Sequence, residues 1–77
     1  MKKYVDVICE MKKEGNIIPL CLIWDNGHKY AIDKVTDCRR LASLKGGGVG
    51  LRFTCTICGN SRYLFLDEYR WFVEIEE

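Results

Sequence analysis

Apolar and polar positions along this chain alternate more often than they recur at helical spacing, and the pattern predicts a succession of short strands. Val5, Val7, Cys9 and Met11 alternate with Tyr4, Asp6 and Glu10, the period of two of a strand with one buried face. Lys13-Glu14-Gly15-Asn16 then supplies turn chemistry. Ile17 to Trp24 is apolar almost throughout, with the β-branched enrichment of a buried strand. Pro19 has no N–H to give to a ladder and suits an edge or first position there. In Asp25-Asn26-Gly27-His28, Asn-Gly tolerates positive φ at both central positions of a type I′ turn, so Trp24 and Lys29 are expected to open and close a tight hairpin.

After the hairpin, Tyr30 and Ile32 share one parity and Val35 takes the other, which predicts a bulge or bend near Asp33-Lys34. Residues 39–45 fit one or two helical turns, with Asp37 as N-cap and Gly46 just past the end, or an irregular loop; the loop is preferred. Leu51, Phe53, Cys55 and Ile57 alternate with Arg52, Thr54 and Thr56, which gives a strand with one wet face. Gly59-Asn60-Ser61 is expected to turn it. Arg62 to Leu66 and Trp71 to Ile75 complete the set, with Asp67-Glu68-Tyr69-Arg70 turning between them and Trp71 expected in the core. These are five or six antiparallel strands, too many for one flat sheet of this size to bury a core unless it curls. The expected fold is all-β, a single small SH3-like antiparallel β-barrel spanning residues 1–77.

Length and composition narrow the function classes. A chain of 77 residues holds one domain that buries only about 60 to 65% of its unfolded surface, which argues against a deep catalytic cleft. With 48% apolar residues, 30% charged residues and one proline, the composition is that of a folded domain and not of a disordered linker. No apolar run approaches the roughly 18 residues of a membrane span, and Met1-Lys2-Lys3 leads into Tyr4-Val5-Asp6 instead of a signal-peptide apolar region. A cytoplasmic location and no membrane partner are expected. The net charge is +1, unevenly spread: Cys38 to Leu66 carries five basic residues and no acid, whereas Asp67 to Glu77 carries five acids against Arg70. Mutual opposition of the two segments across the folded surface is preferred to a dedicated anion patch.

Five cysteines, an odd number, predict free thiols in a reducing compartment. Cys55-Thr56-Ile57-Cys58 has the spacing of a zinc knuckle, but a tetrahedral site needs two further ligands from Cys9, Cys21, Cys38 or His28. Strand parity also sends Cys55 to the core and Cys58 to the other face. Buried thiols are therefore preferred to structural zinc, and no cofactor is expected. His28, the single histidine, falls at the close of a hairpin and is expected to be a solvated turn residue without a catalytic partner. Gly46 to Gly50 lacks the Gly-Lys-Ser/Thr of a phosphate cradle and reads as a flexible loop.

Surface recognition remains. Arg39, Arg40, Lys45 and Arg52 bracket the glycine run, and a basic Gly-rich loop over residues 39–52 could contact phosphates while an exposed aromatic stacks on a base. The near-neutral overall charge weighs against nucleic acid, so a non-enzymatic adaptor with a protein partner is the first expectation and a nucleic-acid binder the alternative. Trp24 or Phe72, if exposed beside an unpaired edge strand, would mark the partner site for strand addition or a homodimer.

Several segments also resemble a known family. Gly27-His28-Lys29-Tyr30-Ala31-Ile32-Asp33-Lys34-Val35, then Ala42-Ser43-Leu44-Lys45-Gly46-Gly47-Gly48-Val49-Gly50-Leu51-Arg52-Phe53-Thr54, then Leu64-Phe65 and Trp71-Phe72-Val73-Glu74 are similar to a family of short bacterial proteins of unknown function. The similarity covers most of the chain. Genes of that family often lie beside lesion-bypass (Y-family) DNA polymerases, so the resemblance implies a DNA-damage setting. It implies no catalytic or ligand residue, and the family does not require a pair at Cys55 and Cys58, which argues against metal.

Overall fold

A computed structural model describes residues 1–42 and 49–75. Seven strands form: β1 (Lys2–Met11), β2 (Ile17–Ile23), β3 (Lys29–Ala31), β4 (Lys34–Ala42), β5 (Val49–Ile57), β6 (Asn60–Asp67) and β7 (Arg70–Glu74). They build one antiparallel sheet in the order β3-β2-β1-β7-β6-β5-β4, curled into a half-barrel. The all-β expectation holds, with seven strands in place of five or six.

The curl follows from two features. First, β1 changes partner along its length: Lys2 to Val5 pair with β7, and Asp6 to Met11 pair with β2. Second, β3 and β4 lie at opposite ends of the sheet yet are joined by only Ile32 and Asp33. The Ile32 amide donates to the Leu20 carbonyl at 3.0 Å and the Asp33 amide to the Thr56 carbonyl at 2.8 Å, so two adjacent residues tie β2 to β5. The change of parity between Ile32 and Val35 is this corner. Its concave side holds the core, where Leu22, Phe53, Cys55 and Leu64 are buried and Val5, Val7, Val35, Leu51, Leu66 and Trp71 pack around them.

Turn chemistry decides the registers. Lys12 to Asn16 and Trp24 to His28 are built alike. The Gly15 amide donates to Lys12 O at 2.9 Å and the Gly27 amide to Trp24 O at 2.8 Å, with φ of +97° and +82° at the glycines. Each is a three-residue loop with a left-handed glycine. The second hairpin is therefore closed by Trp24 and His28, not by Trp24 and Lys29, and Asn26 does not adopt positive φ. The type I′ geometry occurs instead at Cys58 and Gly59, with φ of +53° and +78° between the paired Ile57 and Asn60. That places the turn one residue earlier than Gly59-Asn60-Ser61. Left-handed backbone costs a non-glycine residue about 1 to 2 kcal/mol, and asparagine tolerates it better than cysteine. Cys58→Asn is thus expected to stabilise the fold by about 0.5 to 1 kcal/mol, read as a raised midpoint in urea with an unchanged slope.

Two further expectations are corrected. Residues 39–42 are neither helix nor loop: β4 runs through them, and Asp37 is a strand residue instead of a cap. Cys9 and Met11 are exposed, because β7 pairs with β1 only as far as Val5 and, among the described residues, only β2 accompanies the strand beyond. Pro19 is buried and stands where its missing N–H is tolerated, as expected: opposite Cys9, where Leu20 bulges out of the β1–β2 register, in the stretch of β2 that has β1 on one side and lies past the residues paired with β3.

Candidate functional site

The convex face of the sheet carries an arrangement that strand order alone creates. Tyr4 pairs with Phe72, Phe72 with Phe65, Phe65 with Arg52, and Arg52 with Arg39, so five side chains from five adjacent strands stand in one row across β1, β7, β6, β5 and β4. With neighbouring strands about 4.8 Å apart, the row is roughly 19 Å long. Directly opposite residues share a face, and Phe53, Leu64 and Trp71 at the alternate positions fill the core, so this row points away from it.

The row is packed at one end and charged at the other. Phe65 and Phe72 stack with ring centroids 4.9 Å apart and planes within 5°, and Tyr4 meets Phe72 edge-on at 5.8 Å. Phe72 is buried, whereas Tyr4 and Tyr63 remain 42% and 53% exposed. Cations lie over three rings: Lys2 Nζ 4.8 Å from Phe72, Arg70 Cζ 4.3 Å from Tyr4, and Arg52 Cζ 4.6 Å from Tyr63. Arg52 Nε is buried with no hydrogen-bond partner among the described residues. Arg39 is held by Asp37 through an Nε to Oδ2 bond of 2.9 Å, which relieves its repulsion with Arg52.

Of the residues singled out in the sequence, the fold brings together Arg39, Arg52 and Phe72. Arg40 pairs with Leu51, a core-packed residue, and so belongs to the concave side, where it is exposed. Trp24 is also on that side, half-buried against the core, with Lys3 Nζ 5.7 Å from its ring and Lys3 paired to Asp25. Lys45 and the glycines at 46–48 lie outside the described residues, while Gly50 is a strand residue opposite Asp67 and Leu41. A side chain at Gly50 would meet the Leu66 carbonyl at 3.2 Å, a closer reason for glycine there than loop flexibility. Tyr4, Tyr63, Phe65 and Arg70 were not singled out. Phe65 sits in an apolar run without alternation, so its outward parity is fixed only by its pairing with Arg52.

The thiols give no common site. Cys55 is fully buried and Cys58 stands exposed on the turn, so the two do not face one ion, and among the described residues no three metal-ligating side chains cluster. Burial, and secondarily the nearby Cys38, push the Cys55 thiol up to about 11. Burial and then Asp37 also raise Cys38. A raised folded value means that the unfolded chain loses its proton first. The stability contributed by Cys55 is therefore present below about 9 and is lost as pH rises toward about 11. Melting curves recorded across that window should show the loss, and Cys55→Ala should reduce it, with Cys38 keeping a remainder. His28 is an exposed turn residue whose amide donates to Asn26 Oδ1 at 2.9 Å.

The class defined by these features is an all-β half-barrel with an aromatic and arginine row on its convex face. No protein family, curated protein or solved structure gives a match to the chain. No helix of the described residues is long and apolar enough to cross a membrane.

Proposed function

We propose that this chain is a recognition module of the SH3-like small-barrel kind that binds single-stranded nucleic acid across its convex face. The observation that carries this reading is the row Tyr4, Phe65, Arg52 and Arg39 packed on the buried Phe72, flanked by the exposed ring of Tyr63 and by Lys2 and Arg70. Aromatic rings and guanidinium planes stack on unpaired bases at about 1 to 3 kcal/mol per base without requiring a particular sequence, and the flanking cations meet phosphates. A duplex hides its base faces and gains only the electrostatic part. The fixed strands supply a platform that a basic loop alone would not, which moves nucleic acid ahead of the protein partner favoured by net charge. The resemblance to proteins encoded beside lesion-bypass polymerases makes single-stranded DNA the first probe.

The test is fluorescence anisotropy of labelled single-stranded DNA, single-stranded RNA and duplex DNA titrated with the protein at rising salt. Acids share the face, with Asp37 already paired to Arg39 and Asp67 opposite Arg70, so few phosphates are neutralised and a shallow salt slope is expected. Single strands should bind at least tenfold tighter than duplex. Equal affinity for duplex and single strand, or no binding at low salt, would sink the reading.

A further inference from the structure

The sheet splits on its concave side. β6 spans eight residues, but β7 pairs with only Phe65, Leu66 and Asp67 of it, and Val73 and Glu74 pair with β1 alone. Asn60 to Leu64 therefore have a strand on one edge only, the β5 edge. The two elements diverge and leave a groove of about 540 Å³, bounded by residues 60–65 on one side, by Val73, Glu74 and Ile75 on the other, and floored by Leu22, Trp24, Tyr30 and Ile57. On the β6 wall the backbone from Asn60 to Leu64 has no strand partner on this side among the described residues, whereas on the opposite wall the Ile75 amide and carbonyl are both bonded to Met1, and the floor is apolar.

One charge faces into this groove without an ion-pair partner among the described residues. Arg62 pairs with the buried Cys55 and so lies on the concave side, is exposed, lines the groove and forms no ion pair among the described residues. The only acid of the lining, Glu74, is engaged by the Met1 ammonium at 3.4 Å. The geometry points to a strand-acceptor site: the groove takes an extended peptide from a protein partner, with apolar side chains at alternate positions and an acidic residue placed for Arg62. Five residues of β6 edge accept a segment of roughly 17 Å. Backbone pairing supplies affinity, while alternate side chains entering the floor around Trp24 and Tyr30 supply selectivity. The groove shares the β6 segment of Tyr63 and Phe65 with the convex face, but Arg62 points inward where those two point outward, so Arg62 addresses the groove alone.

The experiment is selection of nine-residue peptides from a random displayed library on the immobilised full chain, followed by titration of the enriched sequences as labelled synthetic peptides. Enriched peptides should alternate apolar residues and carry an acid. They should lose at least tenfold in affinity for Arg62→Glu, and likewise when the peptide amides facing β6 are N-methylated. Arg62 is exposed, so Arg62→Glu keeps the fold, which an unchanged melting temperature verifies. No enrichment over bare matrix overturns the proposal, as do selected peptides indifferent to both Arg62→Glu and N-methylation. A dimer by sedimentation that Arg62→Glu dissociates overturns it in favour of a second copy of this chain in the groove. Retained binding of single-stranded DNA by Arg62→Glu keeps failure here separate from failure of the convex face.

Discussion

Replacing Trp71 by alanine is expected to destabilise the fold by about 3 to 5 kcal/mol. Its ring lies 5.5 Å from that of Phe53, and it packs against the buried cluster from the strand that joins both parts of the sheet. Trp71 pairs with Val5 on one side and Leu66 on the other, so the void would open at the seam between β1 and β6. A domain of this size has a total stability of roughly 5 to 15 kcal/mol, so a sizeable share of it is at stake. The melting temperature should fall by more than about 12 °C. A fall smaller than about 4 °C would remove Trp71 from the set of residues that hold the core.

Arg52→Met is expected to separate binding from stability. Arg52 stands between Phe65 and Arg39 in the convex row and lies over Tyr63, and it keeps its Nε buried without a hydrogen-bond partner among the described residues. An unmatched buried donor costs about 1 to 3 kcal/mol, a cost that methionine relieves while keeping most of the apolar stem. The variant should therefore melt at the same or a higher temperature and yet bind single-stranded DNA at least tenfold more weakly. Tyr63→Ala should weaken binding comparably, by roughly 5- to 150-fold if one base stacks there. Arg40→Met, on the concave side, should bind as the parent does. Parental affinity in both Arg52→Met and Tyr63→Ala would assign the aromatic row to sheet packing alone.

The fold class was legible wherever one face of a strand is wet. Leu51 to Ile57 show this, since Arg52, Thr54 and Thr56 announce the outer face and Phe53 and Cys55 are buried as the alternation requires. Legibility failed where both faces are apolar. Phe65 and Phe72 turn outward beneath Lys2, Tyr4 and each other, and only their pairing across strands, Phe65 with Arg52 and Phe72 with Tyr4, reveals this. Turn type failed for a different reason. Asn26-Gly27 suits a type I′ turn locally, but the hairpin needed one more residue, and the left-handed pair fell instead on Cys58 and Gly59, where only the glycine favours that backbone. Of the candidate site, residue types were readable in Arg39, Arg52 and Phe72, but their alignment was not, because register is a property of the assembled sheet.

The order of strands also sets a sequence of events in time. Among the described residues five of the six strand pairings join neighbours in the chain, and only β1 with β7 joins distant segments. The hairpins β1–β3 and β4–β7 can each form locally on a microsecond scale, whereas bringing Lys2 to Val5 beside Trp71 to Glu74 closes a loop of nearly the whole chain. Closure of that seam is the expected slow step. Substitutions at Val5 or Trp71 should therefore slow refolding, while those at Gly15 or Gly27 should act mainly on the rate of unfolding.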